Sequence, residues 1–263
     1  DELGCNMIRI WGGGVYESDA FYDFCDAEGI LVWQDFMLGC AVYSTDDEFC
    51  DMVRKEAELV VRRLRQHPAL ALWAGDNECD IFALAAELGL KPENIRVTRE
   101  TLPEVLKRLD PMRPYLPSSP YFGSEAVRRD PEGGQTACPE KHLWGPRNYF
   151  RAQYYSCPDA SFVSEIGYHG CPAVNSIKQF IPPEQLWPWQ NNAAWDYHAS
   201  NPYYGSNAML NYRTGLMANQ IREMFKFIPD TLEEFARLSQ IVQAEAKKFF
   251  IETARINRPR QSG

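Results

Sequence analysis

The sequence predicts an α/β protein whose parallel strands close into a (β/α)8 barrel, and three observations carry that prediction. Apolar runs of strand length alternate with stretches of helical periodicity along the 263 residues, the pattern of a parallel sheet with helical crossovers. The runs are continuous rather than alternating, as in strands buried on both faces. Each run also carries its chemistry-bearing residues at its C-terminal end: Arg9 and Trp11, Asp35, Asn77 and Glu78, Ser118 and Ser119, and Glu165. A doubly wound sheet gathers function at one switch point, whereas a barrel spreads it over many strand ends.

In order, Met7–Trp11 reads as a strand broken by Gly12-Gly13-Gly14,. Phe21, Phe24 and Cys25 then repeat at helical spacing up to Gly29, a candidate C′ glycine,. Ile30–Asp35 is a second strand. Asp46-Asp47-Glu48 opens a helix running to about Leu64, with acids in its first turn and arginines in its last,. Ala69–Gly75 is a third strand and leads into Asp76-Asn77-Glu78. A helical stretch over 100–109 precedes a short strand within 113–119. Residues 122–147 read as a long Gly/Pro-rich loop holding a short strand at Lys141–Trp144. Ser161–Glu165 is the sixth strand, 181–205 is irregular and aromatic, and two helices, roughly 207–227 and 231–256, close the chain. Six strands with a final helix imply an incomplete barrel, its first and last strands missing here and expected, with any β-sandwich domains, in a longer parent chain.

Composition narrows the function. A net charge of −9 argues against nucleic acid, which requires clustered Lys and Arg. The basic run Arg62-Arg63-Leu64-Arg65 complements the end of a helix dipole,. No run of eighteen apolar residues occurs, so no membrane span is expected. Eight cysteines at irregular spacing include no CxxC pair, which speaks against a zinc site. Several lie in apolar segments, as buried thiols do, favouring a reduced, cytoplasmic setting. Secretion stays open, because the N-terminus reads as cut from a longer chain.

Glu78 and Glu165 both end apolar strands, where burial and neighbouring charges can tune a carboxyl. Paired carboxyls of this kind carry out glycoside hydrolysis. Pattern alone goes no further than a barrel enzyme with a hydrolase among its candidate activities. No GxSxG elbow supports a serine nucleophile, and neither His142 nor His169 has a second ligand at metal-site spacing,. Ser118 and Ser119 read as strand-end hydrogen-bonding groups.

Longer motifs are more specific. Asn6–Glu17 (NMIRIWGGGVYE), Gly29–Met37 (GILVWQDFM), Arg63–Trp73 (RLRQHPALALW) ending in Asn77-Glu78, Ser119-Pro120, His142–Gly145 (HLWG), Phe162–Gly167 (FVSEIG) and Leu238–Glu245 (LSQIVQAE) resemble, in order and spacing, the catalytic barrel of the β-mannosidases of glycoside hydrolase family 2. The resemblance runs the whole length, so residues 1–263 are identified as one catalytic barrel domain. It implies a retaining exo-β-glycosidase acting on terminal β-D-mannosides through a covalent glycosyl-enzyme, with Glu78 as acid/base and Glu165 as nucleophile. It further implies that Asn77 meets the sugar 2-OH and that Asp35 contacts the glycon hydroxyls. Arg9 would orient Asn77 or Glu165, while Trp11, Trp144 and His142 would line the sugar site. Each has a plainer alternative: a turn cap for Asn77, ion pairs for Arg9 and Asp35, core aromatics for the tryptophans. No cofactor and no metal is implied, and the partner is a glycoside or oligosaccharide. Two departures, Gly75-Asp76-Asn77-Glu78 for the usual Gly-Asn-Asn-Glu and Ile166-Gly167 for Phe-Gly, leave a β-glucosaminidase or β-galactosidase-like specificity open. A non-catalytic carbohydrate-binding relic is the reading from another class.

Overall fold

The structure is a computed structural model that describes residues 4–85, 91–122, 140–145, 149–156, 160–199 and 213–258. Two compact units divide the chain, Asp1–His142 and Leu143–Gly263.

The first unit is built on strands β1 (Met7–Ile10), β2 (Leu31–Asp35), β3 (Leu70–Ala74) and β4 (Tyr115–Leu116), all parallel and in the sheet order β1-β2-β3-β4. The order never reverses, so this sheet has no switch point. Its crossovers carry α1 (Asp19–Glu28), α2 (Asp47–Leu64), α3 (Cys79–Ala85) and α4 (Leu102–Leu109). Strand β5 (Glu140–Leu143) runs across the boundary between the units.

Local chemistry sets the helix ends. Gly29 follows α1 at φ 69° and its N–H reaches the Cys25 carbonyl, a left-handed cap that glycine adopts without a Cβ penalty. Asp46 caps α2 by accepting from the Phe49 N–H at 2.8 Å, and Asp47 and Glu48 sit at the positive end of the helix dipole,. Tyr22, Cys25, Val32, Ala57, Val61, Leu64, Trp73 and Leu102 form the centre of the core. There Trp73 stacks on Phe36 at 5.1 Å while its indole N–H donates to Asp110 Oδ2 at 2.9 Å.

The second unit contains α5 (Gln153–Ser156), β6 (Phe162–Ile166), α6 (Val174–Ile177), α7 (Ala193–Ala199), α8 (Arg213–Phe225) and α9 (Leu232–Ile256). Helix α9 is capped by Thr231, which accepts from the Glu234 N–H at 3.3 Å. Its buried face, Phe235, Val242, Ala246 and Phe250, joins Ile221 of α8 and Tyr155 of α5 in a separate core. Among the described residues no helix is long and apolar enough to cross a membrane.

Several sequence expectations change. Phe24, expected on the buried stripe of α1, is exposed, and Tyr22 fills the core beside the expected Cys25. The strand expected within 113–119 shrinks to Tyr115–Leu116 because Pro114 and Pro117 flank it and cannot donate to a ladder. The helix expected over 100–109 is preceded by a π turn at Val97–Thr101. The aromatic stretch read as irregular contains α7, and α3 escaped notice behind Asp76-Asn77-Glu78. Most of the expected 122–147 loop, the first residues of the helix expected to start at Asn207, and Cys138 and Cys157 lie outside the described residues.

Candidate active site

In the first unit the ends of β1, β2 and β3 bring Arg9, Asp35, Asn77 and Glu78 into one hydrogen-bonded group. Arg9 is its hub. The guanidinium donates to Asp35 through Nη2 (2.8 Å to Oδ2) and Nε (3.3 Å to Oδ1), and through Nη2 to Asn77 Oδ1 at 3.0 Å. Asp35 also accepts from the Gly12 N–H at 3.0 Å and the Trp33 indole at 2.8 Å. Its carboxylate is fully buried, and each oxygen accepts from two protein donors. Asp35 holds Arg9, and Arg9 holds Asn77. Arg9 is thus hydrogen-bonded to Asn77 and ion-paired with Asp35.

The Asn77 amide donates to Cys40 Sγ at 3.2 Å. The turn it was thought able to cap is capped by Asp76, whose Oδ1 accepts from the Cys79 N–H at 3.0 Å and the Ser118 hydroxyl at 2.6 Å. Asp76 Oδ2 is buried with no hydrogen-bond partner. Burial, followed by the charge of Asp80, pushes the Asp76 carboxyl up to about 7,.

Glu78 has φ 61°, a left-handed backbone that costs a residue with a Cβ roughly 1–2 kcal/mol and is concentrated at functional positions. Backbone bonds hold it there: its N–H reaches the Ser119 carbonyl at 2.8 Å, and its own carbonyl starts α3 by accepting from Phe82. Its Oε1 lies 2.8 Å from His142 Nδ1 and its Oε2 accepts from the Cys40 thiol at 3.6 Å. Burial acts to raise the Glu78 carboxyl, but the His142 hydrogen bond and charge outweigh it and leave the group below the ordinary carboxylate range,. The His142 side chain is itself only 2% exposed. It is packed against Glu78 as its hydrogen-bond partner.

Trp11 stays 46% exposed at the end of β1, open for a sugar face to stack on. The glycines after it have a packing reason: a Cβ on Gly13 would lie 2.2 Å from the Trp11 ring, and one on Gly12 would lie 2.3 Å from the Leu38 carbonyl oxygen. In the second unit Glu165 lies on β6 and accepts from the Trp144 indole N–H at 2.6 Å. The Trp144 ring covers Gly167, where a Cβ would meet it at 2.1 Å. Trp144 is thus tied to Glu165 rather than lost in a core.

Sequence reasoning missed Cys40 and Glu140. Cys40 lies past β2 in a stretch with no strand pattern, and Glu140 enters only through Ser119, which donates to Glu140 Oε1 at 2.6 Å. One other group, Asp23, Asp26 and His67, has the donors for a cation. Hydrogen bonds account for most of it: His67 Nδ1 lies 2.6 Å from Asp26 Oδ2, and Asp26 Oδ1 accepts from the Ala69 N–H at the start of β3.

A substitution tests the hub. Arg9→Lys keeps the charge but loses the fork that serves Asp35 and Asn77 together. We expect unfolding free energy to fall by about 1–2 kcal/mol, the cost of one or two hydrogen bonds left unmade. Urea titration checks it, and an unchanged midpoint would remove Arg9 as the organiser.

Parallel strands thus carry Arg9, Asp35, Asn77 and Glu78 at or just past their C-terminal ends, and comparison with known proteins gives the class, a glycoside hydrolase domain. No protein-family model matches the chain. Similar proteins include the β-mannosidase of Bos taurus, 31% identical over 98% of this chain and 30% of the bovine protein. They also include β-mannosidase B of Thermothelomyces thermophilus, 33% identical over 91% of this chain and 28% of that protein. The crystal structure of the β-D-mannosidase from Dictyoglomus thermophilum matches all of this chain and 30% of its own with a TM-score of 0.76 and 36% identity. An Amycolatopsis orientalis exo-chitosanase shares the fold at a TM-score of 0.62 and 20% identity, over 96% of this chain and 28% of its own. The chain belongs to glycoside hydrolase family 2, as a β-mannosidase-like domain. It spans about three-tenths of the length of these relatives.

Proposed function

We propose that the protein containing this chain is a retaining exo-β-glycosidase that removes terminal β-D-mannosyl residues from glycosides or oligosaccharides. The observation that carries the proposal is Glu78: a carboxyl at the C-terminal end of β3, in a strained backbone, on a chain similar along nearly its whole length to proteins named β-mannosidase. In this reading the domain is part of a (β/α)8 barrel, supported by the sequential parallel order of β1–β4,. The six strands among the described residues are six of the eight such a barrel needs.

Glu78 protonates the leaving oxygen while Glu165 attacks the anomeric carbon, and water then cleaves the glycosyl-enzyme with Glu78 as base. Retention requires the two carboxyls about 5 Å apart. Trp144 orients Glu165 through its indole N–H. Asn77, fixed by Arg9, addresses the sugar 2-OH, and Trp11 stacks on the ring. The reaction is acid/base and nucleophilic throughout, and each step is assigned to a side chain of this chain. The thiols at Cys25, Cys50, Cys79 and Cys171 are buried and outside any disulfide, which fits a reducing compartment.

The test is a 2-deoxy-2-fluoro-β-mannoside with a good leaving group, applied to the full-length protein and followed by peptide mapping. We expect one label, on Glu165, and turnover of aryl β-mannosides ahead of the gluco, galacto and glucosamine analogues. A label on another residue would overturn the nucleophile, and preference for another glycon would overturn the specificity.

A further inference from the structure

The turn that carries Glu78 runs directly into α3, and two residues further on lies a buried ion pair that touches no part of the site described above. Asp80, fully buried in the first turn of α3, accepts from Arg99 Nη2 at 2.8 Å through Oδ1 and at 2.6 Å through Oδ2. The Phe122 N–H donates to the same Oδ2 at 2.9 Å. Arg99 stands on the π turn at Val97–Thr101, and its side chain is 13% exposed. Its Nη1 donates to Thr98 Oγ1 at 2.7 Å, and its guanidinium carbon lies 5.3 Å from the centre of the Tyr121 ring. All of these residues belong to the first unit.

Three segments therefore meet at one carboxylate: α3, the π turn and the chain past β4. Two of them are the segments that hold the Glu78 backbone. The chain past β4 supplies the Ser119 carbonyl to the Glu78 N–H, and α3 supplies the Phe82 N–H to the Glu78 carbonyl. Asp80 stands between residues 78 and 82 and is bonded to Phe122, so it ties one anchor to the other. The left-handed backbone at Glu78 persists only where its surroundings over-determine it.

Stability alone is a weak reason for such a pair. Withdrawing both charges from water offsets most of their attraction, and apolar side chains of similar volume often stabilise a core as well or better. What the pair adds is direction, since a planar guanidinium holds its carboxylate, hydroxyl and ring partners in one relative geometry. A π turn, the element that presents Arg99, is itself most frequent at functional sites.

We propose that Asp80 and Arg99 are positioning residues for the acid/base, fixing the turn that aims the Glu78 carboxyl at the glycosidic oxygen. This rests on the reading of Glu78 as the acid/base. Neither residue touches a reacting atom. Both act through the Glu78 backbone, so their loss should be felt only in the steps where Glu78 gives or takes a proton.

The experiment compares Arg99→Lys with the parent in the full-length protein on two substrates. An alkyl β-mannoside needs its leaving group protonated, and a dinitrophenyl β-mannoside does not. Lysine keeps the positive charge that faces Asp80 and Asp76 and removes the planar fork. A misaimed acid should lower kcat/KM for the alkyl substrate about tenfold to a hundredfold. It should leave kcat/KM for the dinitrophenyl substrate near the parental value. In the Glu78→Ala background Arg99→Lys should add no further loss on the alkyl substrate. A pair that only supports the fold would instead lower both kcat/KM values by one common factor. Such an even loss, an additive loss in the double variant, or parental values in Arg99→Lys overturns the inference. Should Arg99→Lys fail to fold, Asp80→Asn, which can still accept from Phe122, carries the same prediction and the same contrary outcomes. Parental alkyl rates in Glu78→Ala would overturn the acid assignment and this inference with it. A large loss there beside an even loss in Arg99→Lys overturns the inference alone.

Discussion

Replacing Glu78 with alanine should lower kcat/KM for an alkyl β-mannoside by about 10²–10⁴, the usual worth of a positioned general acid. The loss should depend on the leaving group. Dinitrophenolate departs without a proton, so its first half-reaction should keep most of its rate, while hydrolysis of the glycosyl-enzyme slows for want of a base. A small anion such as azide, which attacks without needing deprotonation, should then restore turnover and yield the β-glycosyl azide. The backbone gives no reason for the variant to misfold, because φ 61° at position 78 already accommodates a Cβ. Equal losses on both substrates, with no azide rescue, would place the acid elsewhere and leave Glu78 a structural group.

Asp76→Asn should change how stability depends on pH more than any other single substitution near the site. In the folded chain Asp76 titrates near 7 because it is buried beside Asp80, against 3.8 for the free group. Between those values the folded state keeps a proton that the unfolded state has released, so folding stability declines as pH rises through this window and levels off above it. The difference of about three pH units corresponds to roughly 4 kcal/mol. The amide variant does not ionise. Its stability relative to the parent should therefore rise by roughly that amount from pH 4 to above pH 7. It keeps the acceptor for Ser118 and Cys79 and places an N–H₂ where the protonated acid carries its O–H, so the two proteins should have similar stability at low pH. Urea unfolding of both proteins across pH 4–9 measures the swing, and parallel curves would show Asp76 ionised throughout. The resemblance at Gly75–Glu78 implies asparagine at this position, and a protonated aspartic acid is its closest uncharged substitute.

Much of this arrangement was legible in order along the chain. Continuous apolar runs ending in Asp35, Glu78 and Glu165 predicted β2, β3 and β6 and their polar ends, and Gly29 and Asp46 marked where a helix stops and another starts. Where reading failed, local preference was overruled. Proline on both sides of Tyr115–Leu116 shortened a strand, and Tyr22 took the core place expected for Phe24.

By itself the sequence determined which strands carry chemistry at their ends and which family they belong to, because burial on both faces and ordered motifs leave a one-dimensional trace. Only the tertiary structure decided what those residues do to one another. It showed that Asp35 is buried beneath Arg9, that His142 backs Glu78, and that Ser119 joins His142 to Glu140. Hydrogen bonds and ionisation depend on distances between residues 26, 64 or 21 positions apart, and no local pattern records a distance that folding alone creates.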